Sequence, residues 1–162
     1  MIECAVINAG PLVDLSLIGQ LDLLPALFAQ CWVPQAVFDE VAVAGIGKPG
    51  SKSLQSADWR ARVRMSPTPD LLLVMELDAG EADVISLARV LSPCLAVIDE
   101  RRGRRIAQQV CGLSVKGTAG ILVEAQRRGL ISSVRPQLLE LRAAGYFIAD
   151  SVIAAACKAA GE

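Results

Sequence analysis

Short apolar runs of strand length alternate along the chain with longer stretches of helical period, and glycine or proline marks most of the junctions. Glu3–Ile7 reads as a short buried strand, which Gly10-Pro11 break before a helical pattern that lasts to Ile18 and stops at Gly19. Asp22–Phe28 carries a second helical pattern, Cys31–Val33 a second strand, and Pro34 opens a third helix to about Ala44. Gly45–Ser56, mostly Gly, Ser, Lys and Pro, predicts a surface loop, with a short strand at Val63–Met65 beyond it. After Pro67 and Pro69 the pattern gives a short apolar turn, a helix over about Gly80–Leu91, a buried strand Leu95–Ile98, and a helix over about Arg101–Val110 capped by Gly112. A last strand, Leu113–Val115, passes through Gly117-Thr118 into a helix ending at Gly129, and two further helical stretches cover about Val134–Ala144 and Ile148–Ala160.

Strands that alternate with helices imply right-handed crossovers. The expected fold is therefore α/β, with three α/β/α layers and a mostly parallel sheet of four or five strands. The 162 residues suit one domain, 1–162, with a helical extension over about 134–161. Hydrophobic residues make up 53% of the chain and aromatic ones 4%, so the core is expected to be Leu, Val, Ile and Ala, as in helices on a parallel sheet. Leu71–Met75 and Ala119–Val123 fall far short of the roughly 20 residues of a membrane span, and no basic leader precedes Glu3. The expectation is a cytoplasmic protein with no membrane partner.

Five scattered cysteines without a Cys-x-x-Cys pair, and no histidine, argue against a zinc site or a disulfide framework. The lack of histidine also removes the commonest general base, so chemistry has to come from carboxylates or be absent. A net charge of −1 gives no bulk attraction for a polyanion, and any nucleic-acid contact must be local.

Open parallel sheets place their sites beyond the carboxyl ends of the strands. Asn8 follows the first strand there, and Asp99 and Glu100 follow Leu95–Ile98. Glu40 and Glu81 share helical faces with apolar positions, where a carboxylate is costly unless paired or bound to a cation. If Glu40, Glu81 and Asp99 converge, they would suit Mg2+ or Mn2+, which prefer oxygen ligands. Each acid also has a plain structural role: Glu81 as a helix-start charge, Asp99 as an N-cap, Glu40 at the edge of the core. Arg101, Arg102, Arg104 and Arg105 could meet phosphates, or could pair with Asp99 or Glu100 on a solvated face. Lys116 and Thr118 could add donors at the next strand end, although a turn and cap accounts for Thr118 equally well.

Taken in order, Val6-Ile7-Asn8-Ala9-Gly10-Pro11-Leu12, Val33-Pro34 with Glu40-Val41, Gly80-Glu81-Ala82-Asp83, Ile98-Asp99-Glu100 and Gly117-Thr118-Ala119-Gly120 resemble the PIN domain. More narrowly they resemble a prokaryotic PIN branch described as predicted nucleic-acid-binding proteins, over nearly the whole chain. The resemblance implies a metal-dependent ribonuclease, often the toxin of a toxin-antitoxin pair, acting on single-stranded or structured RNA. It also implies a homodimer and an antitoxin protein as partner. Its acids fall after strand one, in helix three, in a central helix and after strand four. Glu40, Glu81 and Asp99 match the last three, with Asp83 and Glu100 as auxiliary acids.

This chain departs from the pattern at the first position, where Asp followed two residues later by Ser or Thr is replaced by Asn8 and Gly10. One charge and one hydroxyl are missing, although an Asn carbonyl can still ligate a cation. The alternative function is therefore a PIN-like module that binds nucleic acid or protein without cleaving. A nucleotide-binding protein is set aside because no glycine-rich phosphate loop is present.

Overall fold

All four residues of β1 (Cys4–Ile7) are buried, as in a strand covered on both faces. In the computed structural model, which describes residues 3–162, β1 is the centre of a five-stranded sheet. The other strands are β2 (Gln30–Pro34), β3 (Val63–Arg64), β4 (Leu95–Val97) and β5 (Ser114–Lys116), in the order β3-β2-β1-β4-β5. Every pairing is parallel. The chain works outward from β1 to β3 and then returns to the other side of β1 for β4 and β5. That reversal opens a crevice at the carboxyl ends of β1 and β4. The fold class expected from the sequence is the one observed, with helices flanking the sheet.

Register sets the height of this crevice. Ile7 lies opposite Val97, the Asn8 amide donates to the Val97 carbonyl at 3.0 Å, and the Ile98 amide donates to the Lys116 carbonyl at 2.9 Å. Helix α1 (Ala9–Leu17) leaves β1 directly, followed by α2 (Leu23–Leu27) and, after β2, by α3 (Gln35–Phe38). Two short helices, α4 (Ser51–Leu54) and α5 (Ala57–Arg60), lead to β3, and α6 (Leu71–Glu76) precedes α7 (Ala79–Val90). Helix α7 crosses β1, β2 and β4 with α3 beside it, and Val84, Ile85, Leu87 and Ala88 are buried there. Helix α8 (Arg101–Arg105) joins β4 to β5. Then α9 (Thr118–Arg127) packs against α1, α2 and α11 (Asp150–Ala160), with α10 (Arg135–Ala143) against α11.

Several expectations need correction. Gly45–Ser56 is not all loop: Gly50, at φ 89°, turns the chain into α4, whose Leu54 is buried with Ser51. The apolar run after Pro69 is a helix, α6, of which only Leu73 is buried. The third helix widens into a π turn over Asp39–Val43, and α8 does the same over Ile106–Val110. The scattered cysteines argue against a disulfide framework, yet Cys4 and Cys94 are joined as a disulfide, with Cα atoms 4.7 Å apart. The register that sets Ala5 opposite Leu95 also sets these two side by side across 90 residues of sequence. Among the described residues no helix is long and apolar enough to cross a membrane.

Ile85 is fully buried under the three central strands. Ile85→Ala should lower unfolding free energy by about 3–4 kcal/mol in urea denaturation, through lost burial and the cavity left behind.

Candidate acidic site at the ends of β1 and β4

Asn8 is only 6% exposed. It stands at the start of α1 without capping the helix through its side chain, so its carboxamide is not used up locally. Its Oδ1 and Glu40 Oε2 both approach Gly80. A Cβ placed on Gly80 would lie 3.4 Å from Asn8 Oδ1 and 3.2 Å from Glu40 Oε2, so the bare backbone at the start of α7 leaves room for both oxygens. Glu40 is exposed rather than set among core residues, because the π turn shifts the helical register and buries Val41 and Ala42 instead.

On the other side of the crevice Asp99 is held by Thr118. The Thr118 amide donates to Oδ1 at 2.6 Å and its hydroxyl to Oδ2 at 2.7 Å. Asp99 therefore does not cap its own helix: Glu100 occupies the N-cap of α8, with no side-chain bond. A Cβ on Gly117 would come within 2.8 Å of Asp99 Oδ1, so glycine is what allows the carboxylate to reach the Thr118 amide.

Glu81 is turned away from this group. It forms a capping box with Asp78, accepting from the Asp78 amide at 3.3 Å while its own amide donates to Asp78 Oδ1 at 2.8 Å. Its Oε1 rests over buried Gly103, where a Cβ would stand 2.9 Å away. Asp83 is half-buried on α7 and lines neither of the cavities described here.

The residue that sequence reading missed is Asp14. It is 8% exposed, and its Oδ1 has no hydrogen-bond partner among the described residues. Gly10 and Asp14 are four apart on α1 and therefore share a face. A Cβ on Gly10 would lie 3.5 Å from Asp99 Oδ2, which shows that this face looks at Asp99. The i, i+4 spacing from Gly10, with a charge between Val13 and Leu15, was the available signal.

Asn8, Asp14, Glu40, Asp78, Asp99 and Glu100 border one cavity of about 280 Å3, and no lysine or arginine among the described residues lines it. Crowded acids with no cation to balance them hold protons more tightly. Burial, then the Asp99 charge and a hydrogen bond with Asp99, push the Asp14 carboxyl up to about 7, against a lowering hydrogen bond from Thr118. Burial and then Asp78 raise Glu40. Burial, Asp78 and Glu100 raise Glu81, opposed by its backbone hydrogen bond at Asp78 and by Arg102.

A second cavity, of about 690 Å3, shares Asp14, Asp99 and Tyr146 with the first and runs past Arg104, Lys116 and Thr118 toward α11. Beside it Phe147 is 93% exposed. Arg101 and Arg105 are exposed, with no ion pair among the described residues. Arg102 pairs with Glu76 rather than with Asp99 or Glu100, and Lys116 with Glu124 at 3.3 Å.

The donors around the small cavity suit a hard divalent cation in kind. All are oxygens, one buried carboxylate oxygen is orphaned, and glycine backbone leaves space at Gly80 and Gly117. As they stand, no three acidic or cysteine side chains among the described residues are grouped closely enough to hold a metal ion.

A family model described as a PIN domain (DUF3368) matches residues 4–162. No curated protein and no solved structure matches the chain.

Asp14 titrates higher in the folded chain than its ordinary 3.8, so its contribution to stability is complete below that value and is lost as pH rises through about 7. In metal-free buffer Asp14→Asn should remove that slope. Chemical denaturation is expected to show the variant more stable than the native chain by about 4 kcal/mol at pH 8, with little difference at pH 4.

Proposed function

The chain belongs to the PIN domain family, whose members are mostly nucleases, and we propose that it is a metal-dependent endoribonuclease. The observation that carries this reading is the acidic cavity at the reversal of strand order, which shares Asp14, Asp99 and Tyr146 with a larger cavity edged by Arg104 and Lys116. Glu40 and Asp99, with the Asn8 carbonyl, would hold Mg2+ or Mn2+. Glu81 and Glu100 stand close by as auxiliary acids. When bound, the cation supplies an activated water and neutralises charge on the scissile phosphate.

The chain's own groups have separate tasks. Thr118 fixes Asp99 in one orientation through both carboxylate oxygens. Arg104 and Lys116 meet the RNA phosphates on either side of the cleaved bond, with Arg101 and Arg105 extending the contact. Tyr146 and Phe147 offer ring faces to unpaired bases, which favours single-stranded RNA. A toxin role under the control of a protein antitoxin, and a homodimer, belong to the same proposal.

A second reading has a specific observation in its favour. Asn8 and Gly10 lack the charge and hydroxyl of the family pattern, which suits a PIN fold that binds RNA or a protein without cutting. The two separate in one assay on single-stranded RNA with Mn2+ or Mg2+. The nuclease reading expects cleavage that stops with chelator and falls by at least about a hundredfold in Asp99→Asn. RNA binding indifferent to chelator, with no cleavage, would transfer the proposal to the binding module.

A further inference from the structure

Position 8 carries no charge, yet the cavity it borders contains a buried carboxylate that the family pattern does not place there. Asp14 is nine-tenths buried, and it lines the same cavity as Asn8, Glu40 and Asp99. It sits one helical turn beyond Gly10, on the face of α1 turned toward Asp99. Its Oδ1 has no hydrogen-bond donor among the described residues, and no lysine or arginine among them lines the cavity. A carboxylate oxygen buried without a donor costs stability, so its retention calls for a ligand to satisfy it.

We infer that Asp14 supplies to the cation site the carboxylate that Asn8 lacks, with Oδ1 as the ligating oxygen. The inference rests on the reading of this cavity as a cation site. Its content is a matter of charge count. Among the positions of the family pattern that border the cavity, Asn8 is neutral and Glu40 and Asp99 carry two negative charges, with Asp78 and Glu100 also on its border, and Asp14 adds the one charge that a carboxylate at position 8 would have given. Cation affinity of oxygen sites follows the number of charged ligands, so moving the charge from the end of β1 to α1 preserves it. Asn8 remains useful as a neutral carbonyl donor. Asp99, oriented by Thr118, faces Gly10, while Asn8 Oδ1 and Glu40 Oε2 both approach Gly80.

The experiment is a calorimetric titration of the full chain with Mn2+ alone, without RNA, on four proteins: native, Asp14→Asn, Asp99→Asn and the double variant Asn8→Asp with Asp14→Asn. Asp14→Asn should weaken Mn2+ by at least about tenfold, comparably to Asp99→Asn. The double variant, in which the carboxylate is returned to position 8, should recover to within about threefold of native. Thermal melting of each metal-free variant checks that it is folded, and Asp14→Asn is near-isosteric. Native-like Mn2+ affinity in Asp14→Asn, with affinity lost in Asp99→Asn, overturns this inference and leaves the nuclease proposal standing. A double variant that fails to recover overturns it as well, since disturbance of α1 would then explain the loss. No Mn2+ binding by the native chain overturns both.

Discussion

Ile7 and Val97 are register partners in adjacent parallel strands, so the chain leaves β1 and β4 at the same height and in the same direction. Everything in the candidate site depends on that pairing. It brings residue 8 alongside residues 98 and 99, aligns Cys4 with Cys94, and starts α1 where Gly10 and Asp14 face Asp99. A shift of one residue would turn each of these side chains to the opposite side of the sheet. Burial accompanies the pairing: Ala5, Val6, Ile7, Ala96 and Val97 are fully enclosed.

Onto this fixed edge the chain brings acids from separate elements. Glu40 comes from a helix that has widened by one residue, Asp78 from the turn before α7, and Asp14 from a helix interior. Each has to be accommodated in a region with little positive charge. Three different solutions are visible. Glu81 is absorbed by a capping box, Asp99 by the amide and hydroxyl of Thr118, and Asp14 by a raised affinity for a proton. The first two leave satisfied carboxylates, while the third leaves an oxygen without a partner, which is why Asp14 is the group whose role needs explaining.

Glycine does part of the positioning by omission. At Gly80, Gly103 and Gly117 the space a Cβ would take is occupied or approached by the oxygens of Glu40, Asn8, Glu81 and Asp99. None of these three glycines has a positive φ, so close approach rather than backbone conformation accounts for them. The π turn at Asp39–Val43 acts similarly on its helix, inserting a residue where Glu40 reaches the crevice.

The sequence by itself determined the layered α/β architecture, most of the elements, and Asn8, Asp99 and Glu100 as residues at a strand end, because hydrophobic period and turn residues are local and the ends of parallel strands are where open sheets expose polar groups. By family likeness it also proposed Glu40 and Glu81 for the site. Tertiary structure alone decided which acids share a cavity. Whether Glu81 points into the crevice or caps α7 depends on Asp78 and on the room over Gly103, which no local pattern encodes. Glu40 escaped the expected core face through a widening of its helix, and Asp14 became a buried acid only because α1 docks beside Asp99, 85 residues later in the chain. Burial and pairing of a charge are properties of the whole packed surface around it, so a sequence can propose the charge but only the fold assigns its partners.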